Sequence, residues 1–415
     1  MKHKKPSATR RDFLKTAAAS VACPYIITSA ALGADGRPPA SDRLVVAGIG
    51  IGNQGSGDQG EFLGRKDVQY VAMCDVKKGK QQQEARNRVN DHYKNSDCKV
   101  YSDFREVLGR PDIDIVHVAT PDHWHAIIVV EACRHGKDVY CQKPESRTIR
   151  EGRLMVEAAR RYSRVVSGGS QRVFEDYQAV TRPGWSGELG TIKEIYVNCP
   201  GPSKPCNLPG QAVPDDIDWD MWLGPAPWQP YHNDRVSGSY DIASGKCWRA
   251  WVDFSGGGMT DWGAHKFGGA MFAGNVRDQG PVEVIPPDGK DVKLLTYVFA
   301  NGLKIFHAPH EPDGIGRGVR VVGTPGETIS PKPFPEYKGS GGIKGDFIYC
   351  VKNRGEKPFR DIEFGHRTAT VCHLGNIAYE LKRPLKWDPV NEEFPGDEEA
   401  NRFLDRAKRE PWTLS

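Results

Sequence analysis

The chain has 415 residues, with 57 Lys and Arg against 53 Asp and Glu, for a formal charge of +4. Residues 1–33 hold six of the basic side chains and one Asp, a balance of 6 − 1 = +5, which leaves the remainder at 4 − 5 = −1. A nearly neutral body excludes a field strong enough to recruit nucleic acid or an anionic membrane surface, while the length allows two sizeable domains behind a leader.

The first element in chain order is that leader, read over 1–34. Thr9-Arg10-Arg11-Asp12-Phe13-Leu14-Lys15 is a twin-arginine export motif behind the basic Lys2, Lys4 and Lys5. The apolar stretch 16–22, resumed at 25–27, is too short and too interrupted to span a bilayer. Small residues at 29–31 and 33–34 offer a cleavage site, so the expected location is periplasmic. Residues 35–42, with two prolines and a glycine, read as a linker. The ten cysteines are scattered without a CxxC pair or zinc-like spacing, which predicts few bridges and no metal.

From Arg43 the pattern alternates between strand and helix. Short apolar runs at 44–49, 70–74, 113–119, 138–141 and 165–166 read as buried parallel strands. Polar or amphipathic stretches at 77–89, 124–134 and 149–162 read as the helices between them. This predicts a doubly wound α/β domain over 43–167. Beyond it Trp, Pro and Gly become dense between 200 and 258, implying ordered loops. The runs 282–285, 294–299, 304–307 and 319–322 alternate as antiparallel strands do, and 364–382 reads as a long helix ended by Pro384. The expectation for 168–415 is an α+β domain with an open, mostly antiparallel sheet.

Three segments carry chemistry. Gly50-Ile51-Gly52-Asn53-Gln54-Gly55 follows a strand and opens a helix, the context a dinucleotide fingerprint requires. Gly50 permits the turn, Gly52 lets the backbone approach a pyrophosphate, and Gly55 lets the helix pack on the strand. Asp75 ends the second strand 20 residues past Gly55, where a carboxylate accepts ribose hydroxyls and favours NAD over NADP. An exported enzyme has no cytoplasmic pool to exchange its spent nucleotide, so the cofactor is expected to be held tightly and regenerated in each cycle. Thr120-Pro121-Asp122-His123-Trp124-His125 lies at another strand's carboxyl end; it is either a ligand-facing turn or simply a helix start capped by Asp122. Lys143-Pro144 follows the strand 138–141, where the lysine either polarises a substrate hydroxyl or is an ordinary loop side chain. In Gly256-Gly257-Gly258-Met259-Thr260-Asp261-Trp262-Gly263-Ala264-His265, a helix beginning near Asp261 would put Asp261 and His265 on one face, a carboxylate orienting a general base. Gly263 suggests that substrate or nicotinamide packs against that backbone.

Together these elements resemble the Gfo/Idh/MocA family of NAD(P)-dependent oxidoreductases, from about Arg43 to the end. The resemblance rests on Gly50, Gly52 and Gly55; on Thr120, Pro121 and His125; on Gln142-Lys143-Pro144 in place of Glu-Lys-Pro; and on Asp261 with His265. The tail from Leu374 to Asn401 is similar to an exported subfamily. Two departures stand out: Gln142 replaces the usual Glu, and Gly268 stands where an acidic residue often follows the catalytic His.

The resemblance implies that His265, oriented by Asp261, takes a hydroxyl proton while Lys143 hydrogen-bonds the same oxygen. Asn53, Gln54, Thr120, Pro121, His125 and Lys143 join the glycines and Asp75 as expected cofactor residues. Trp124, Arg172, Trp248, Arg249 and Trp251 are expected as substrate wall, because aromatic faces and guanidinium groups suit sugar rings. Three functions follow. One is hydride transfer between tightly bound NAD and a hydroxyl of a sugar, glycoside or cyclitol. Another is an NAD-dependent glycosidase or lyase, working by transient oxidation, elimination and re-reduction. The last is a nucleotide-bound sugar-binding protein without turnover. The partner expected in each case is a small carbohydrate or polyol, with a homo-oligomer as the assembly.

Overall fold

The computed structural model describes residues 38–310, 318–327 and 329–414. The expected leader, with its twin-arginine motif, lies outside the described residues, as does most of the expected linker. Of the latter, Ala40–Asp42 forms one 3-10 turn. From Leu44 onward the chain forms one compact unit.

Its first sheet is built from β1 (Leu44–Ile49), β2 (Val68–Cys74), β3 (Lys99–Tyr101), β4 (Ile115–Val118), β5 (Asp138–Cys141) and β6 (Val166–Gly168). The order is β3-β2-β1-β4-β5-β6 and every pairing is parallel. Strand order therefore reverses beside β1, which puts a ligand crevice at the carboxyl ends of β1 and β4. The connecting helices are α1 (Asn53–Leu63), α2 (Lys80–Tyr93), the short α3 (Phe104–Leu108), α4 (Asp122–Arg134) and α5 (Ile149–Arg161). β4 and β5 are buried along their whole length, as continuous apolar strands covered on both faces must be.

After α6 (Arg172–Glu175) and α7 (Gln178–Ser186) comes β7 (Glu194–Val197), then the loop-rich stretch with α8 (Trp219–Leu223), α9 (Asn233–Val236) and a 3-10 turn at Trp248–Ala250. Next are α10 (Gly258–Asp261) and α11 (Gly263–Ala273), followed by β8 (Pro281–Ile285), β9 (Leu295–Phe299), β10 (Lys304–His307) and β11 (Val319–Val322). The chain ends through α12 (Gly342–Lys352), α13 (Ile362–Leu381), β12 (Leu385–Lys386) and α14 (Glu398–Asn401). The second sheet runs β11-β7-β10-β9-β8-β12. It is antiparallel except for β7 against β10, a parallel pair that the alternation pattern did not foretell. Ile195, Val197 and Ile305 turn inward onto α11, whereas Tyr196, Phe306 and Val298 lie on the less covered face.

The expected boundary at residue 167 is not a packing boundary. α12 lays Ile343, Phe347, Ile348 and Val351 against Val46, Phe62 and Tyr140 of the first sheet's layer. Ile362 of α13 and Trp412 of the tail join the core on its other side. The second half of the chain thus supplies part of the roof of the first, and residues far apart in sequence meet at the crevice.

Candidate active site

The glycine turn has the geometry its sequence demands. Gly50 sits at φ +83°, and a Cβ there would lie 2.7 Å from the Ala119 carbonyl carbon. A Cβ on Gly55 would lie 2.1 Å from the Gly50 oxygen, so α1 can approach the turn only without a side chain. Gly52 differs: its Cβ would meet nothing nearer than 3.9 Å, which leaves the start of α1 open towards the crevice. Open space at the N-terminal amides of a helix is what a pyrophosphate requires. Asp75 closes the other end. Its Oδ2 accepts from the Ile51 N–H at 2.8 Å and its Oδ1 from the Lys77 N–H at 2.9 Å. Burial raises its pKa against those backbone donors; Oδ2 also accepts from Gln81 Nε2 at 3.5 Å, which leaves Oδ1 with a lone pair for a ribose hydroxyl.

The crevice is a cleft of about 830 Å³. Of the expected residues, Gly50, Gly52, Asn53, Gln54, Asp75, Thr120, Pro121, Trp124, Lys143, Trp248 and Arg249 line it. Its far wall is a strap from the second half, residues 231–240. Asn53 Nδ2 donates to Gly238 O at 3.4 Å, and Tyr240 Oη donates to Gln54 Oε1 at 3.4 Å. The strap therefore reaches across the cleft to the glycine turn. Arg249 anchors its inner end by donating to Gly238 O at 3.0 Å and Ser239 O at 3.1 Å, with its guanidinium between the Trp248 and Tyr240 rings.

Arg249 also donates to Asp261 Oδ1 at 3.1 Å, and Lys143 Nζ donates to the same oxygen at 2.7 Å. These side chains are nearly closed to solvent, with Lys143 10% and Asp261 3% exposed. Burial alone would raise the Asp261 pKa, but Lys143 and Arg249 outweigh it and hold the carboxyl below its ordinary range. Asp261 is thus a carboxylate that fixes two cations, both on the cleft wall.

It does not orient His265. The helix expected across 261–265 breaks at Trp262, so Asp261 ends α10 and His265 belongs to α11. His265 Nδ1 is buried without a partner. Burial, then the positive charges of Lys143, Arg172 and Arg360, hold the ring pKa well below its ordinary value, so it is a neutral imidazole. Gly263 is also explained differently from its expectation. A Cβ there would meet Cys372 Sγ of α13 at 2.9 Å, so helix packing, not a ligand, excludes a side chain.

Four other expected residues lie off the cleft lining. Gly55 packs α1 onto the turn as described. His125 is buried behind it, with Nδ1 2.8 Å from Pro144 O and Nε2 2.8 Å from Thr120 O. It staples the two ligand-facing loops instead of facing a ligand. Arg172 is paired with Asp176 at 2.6 Å and lies over the Trp262 ring. Trp251 is 8% exposed, in a core with Trp222 and Phe254, and its neighbour Val252 bonds to Lys204.

The two departures from the family pattern have local causes. Gln142 Nε2 donates to Asp58 Oδ2 at 2.9 Å, and its Oε1 accepts from the Lys143 N–H at 3.3 Å. Asp58 is fully buried and paired with Lys344 of α12 at 2.9 Å, so a glutamate at 142 would face a second carboxylate. At Gly268 a Cβ would already lie 2.7 Å from Val173 Cγ2, which leaves no room for an acidic side chain. Local sequence reading missed Gln142 as a support for Lys143 and Arg249 as a partner of Asp261. It gave Asp122, which lines the cleft, no chemical role of its own beyond a ligand-facing turn or a helix cap.

Residues 44–170 match the Gfo/Idh/MocA oxidoreductase family's NAD-binding Rossmann fold, and 203–306 with 331–414 match that family's C-terminal alpha/beta domain. Among characterised sequences, the chain is 32% identical over 130 residues to a glycosyl hydrolase family 109 protein of Shewanella baltica, covering 30% of this chain and 27% of that protein. It is 29% identical over 175 residues to an alpha-N-acetylgalactosaminidase of Shewanella oneidensis, 37% of each. The chain thus matches only 27% and 37% of the length of these two relatives. Among solved structures it is similar to an aldose-aldose oxidoreductase of Caulobacter crescentus, with TM-score 0.55 and 18% identity over 83% of this chain and 99% of that one. At that identity the likeness carries the fold alone. The glycine turn with Asp75 fits NAD, the cofactor of the matched domain, and the chain belongs to the Gfo/Idh/MocA oxidoreductase family.

Proposed function

We propose that this protein moves hydride between a tightly held NAD and a hydroxyl of a sugar, glycoside or cyclitol, after export through the twin-arginine route. The observation that carries the reading is Lys143. It lines the same cleft as the glycine turn and is locked at 2.7 Å to the buried Asp261. Bound NAD supplies a hydride acceptor at its nicotinamide ring. The protein's part is to hold and activate the hydroxyl. Lys143 Nζ, its direction fixed by Asp261, donates to the substrate oxygen and stabilises negative charge as the proton leaves. His265 keeps an unpartnered Nδ1 but lies off the cleft lining, so it would take that proton only through an intervening group. The strap 231–240 supports cofactor retention, because its contacts to Asn53 and Gln54 must part before a dinucleotide can leave. Trp248 and Arg249 offer a sugar an aromatic face and a cation on the cleft wall. We place a homo-oligomer contact on the less covered sheet face around Tyr196 and Phe306.

A redox-neutral glycosidase is the second reading. The match to glycosyl hydrolase family 109 proteins favours it, and the Lys143–Asp261 arrangement serves a transient oxidation equally well. One experiment separates the readings. The purified full chain is denatured and its released nucleotide counted. The loaded protein is then offered levoglucosan, myo-inositol and 4-nitrophenyl α-N-acetylgalactosaminide. About one NAD per chain with aldehyde-dependent oxidation supports the first reading; release of nitrophenol without net NADH supports the second. Lys143→Ala should lower either turnover about a thousandfold, with its NAD content counted alongside because Lys143 lines the cofactor cleft. An unaltered rate in that variant overturns both.

A further inference from the structure

Asp122 opens α4 at the carboxyl end of β4 and lines the nucleotide cleft. It is 1% exposed, and beside its carboxyl stands the Ser255 hydroxyl, short of full hydrogen-bond geometry. A buried carboxylate so poorly supplied with donors is costly. Either a proton on the carboxyl or a ligand's hydroxyl relieves that cost, and both place the group in the chemistry of the cleft.

Its surroundings come from three other elements. The charges of Asp261 at the end of α10, Arg249 in the 3-10 turn and Lys143 in the loop after β5 act on it, with the Ser255 hydroxyl beside it. Both cations are already committed to Asp261, at 2.7 and 3.1 Å. The cluster therefore holds two carboxyls and two cations, yet only one carboxyl is paired. Burial, reinforced by the charge of Asp261 and opposed by Ser255, Arg249 and Lys143, pushes the Asp122 carboxyl up to about 7.

We propose that Asp122 is the proton store of the cleft, a carboxylate while the nicotinamide is oxidised and positive, and an acid once it is reduced and neutral. The inference rests on the hydride-transfer reading above. Oxidising a carbinol breaks its O–H bond as well as its C–H bond; the hydride goes to NAD and the proton must go to the protein. In a cycle that re-reduces a carbonyl in the same closed site, that proton has to return. Asp122 takes it, through the groups that contact the hydroxyl, during the oxidising half and gives it back during the reducing half. One proton and one hydride thus leave and return together.

The test reads the carboxyl directly by infrared difference spectroscopy on the full chain near about pH 7, loaded with NAD or with NADH. The expected result is a protonated-carboxyl C=O stretch severalfold stronger with NADH. It should persist in Glu392→Gln, a carboxyl outside the cleft, vanish in Asp122→Asn and reappear in Asp122→Glu. A difference that survives Asp122→Asn, or a band equally strong in both cofactor states, overturns the proposal. Nucleotide content is measured on the same samples. A chain that binds no NAD defeats the hydride-transfer reading instead, and a pH titration of the resting protein then decides on Asp122: no carboxyl titrating near neutrality overturns the store as well. If Asp122→Asn does not fold, Asp122→Glu with aspartate-specific isotope labelling makes the same assignment.

Discussion

The two walls of the cleft are built by different means. On the Rossmann side the ligand surface is mostly backbone, set by six consecutive residues whose glycines leave out side chains at defined points. On the opposite side it is a strap and charged side chains, drawn from positions 231–240 and 249, joined to Lys143 by Asp261 behind the lining. The first wall is local and rigid. The second exists only once the whole chain has packed, because Asp261 must reach both the loop after β5 and the 3-10 turn at Trp248–Ala250. Binding the cofactor and acting on the substrate are therefore expected to fail separately.

The sharpest way to break that distinction is Asp261→Asn. Removing the carboxylate leaves Lys143 and Arg249 side by side in a nearly solvent-free site. Loss of a buried pair's partner is expected to cost about 3 kcal/mol, read as a lower urea midpoint at unchanged slope. NAD content should stay near the parent's, since the glycine turn and Asp75 are untouched. If the nucleotide is lost along with the stability, the two walls are one cooperative unit and the comparison falls.

Gly55→Ala tests the other wall and should have the reverse profile. The added methyl meets the Gly50 oxygen at 2.1 Å, so α1 must shift away from the turn. Overpacking of this kind is expected to cost about 2 kcal/mol, with most of the bound NAD lost. Equal NAD content in the variant and the parent would show that α1 is not held by the close approach described here.

These two walls also differ in how far the sequence discloses them. The glycine turn is legible because strand, turn and helix are contiguous, and each glycine answers a steric demand set by near neighbours. Lys143 and Asp261 stand out as chemical groups, but their mutual contact spans 118 residues and follows no period, so local spacing paired Asp261 with His265 instead. Gly263 misled for the same reason: the atom that excludes its side chain belongs to Cys372, in a different helix. β7 is a four-residue strand with a single alternation, too short to announce itself. α12 begins at Gly342 and contains Gly345, poor helix formers both, and its packing on Phe62 and Tyr140 is what accounts for the helix. What the sequence withheld was long-range partnership, and the substrate side of the cleft consists of little else.

The smallest effect is expected where the two halves are joined away from the cleft. Arg153 of α5 donates to Glu363 of α13 at 3.0 Å and to Glu392 in the loop after β12 at 2.6 Å, and Glu392 Oε1 also meets His366 Nε2 at 2.7 Å. Burial raises the Glu392 carboxyl, but the His366 and Arg153 hydrogen bonds outweigh it and bring it down to about 2, from a reference of 4.5. A folded value below the unfolded one means that the group binds its proton more readily in the unfolded chain. Its contribution is thus complete above about pH 4.5 and lost as the pH falls towards about 2. Partial exposure screens the pair, so Glu392→Gln should cost about 1 kcal/mol at neutral pH. The gap between variant and parent should close on acidification across that window, followed by urea unfolding at several pH values. A gap that stays constant with pH would mean that packing of the loop, and not the charge of Glu392, ties the C-terminal segment to α5. The seam between the halves would then be as independent of electrostatics as the glycine turn is.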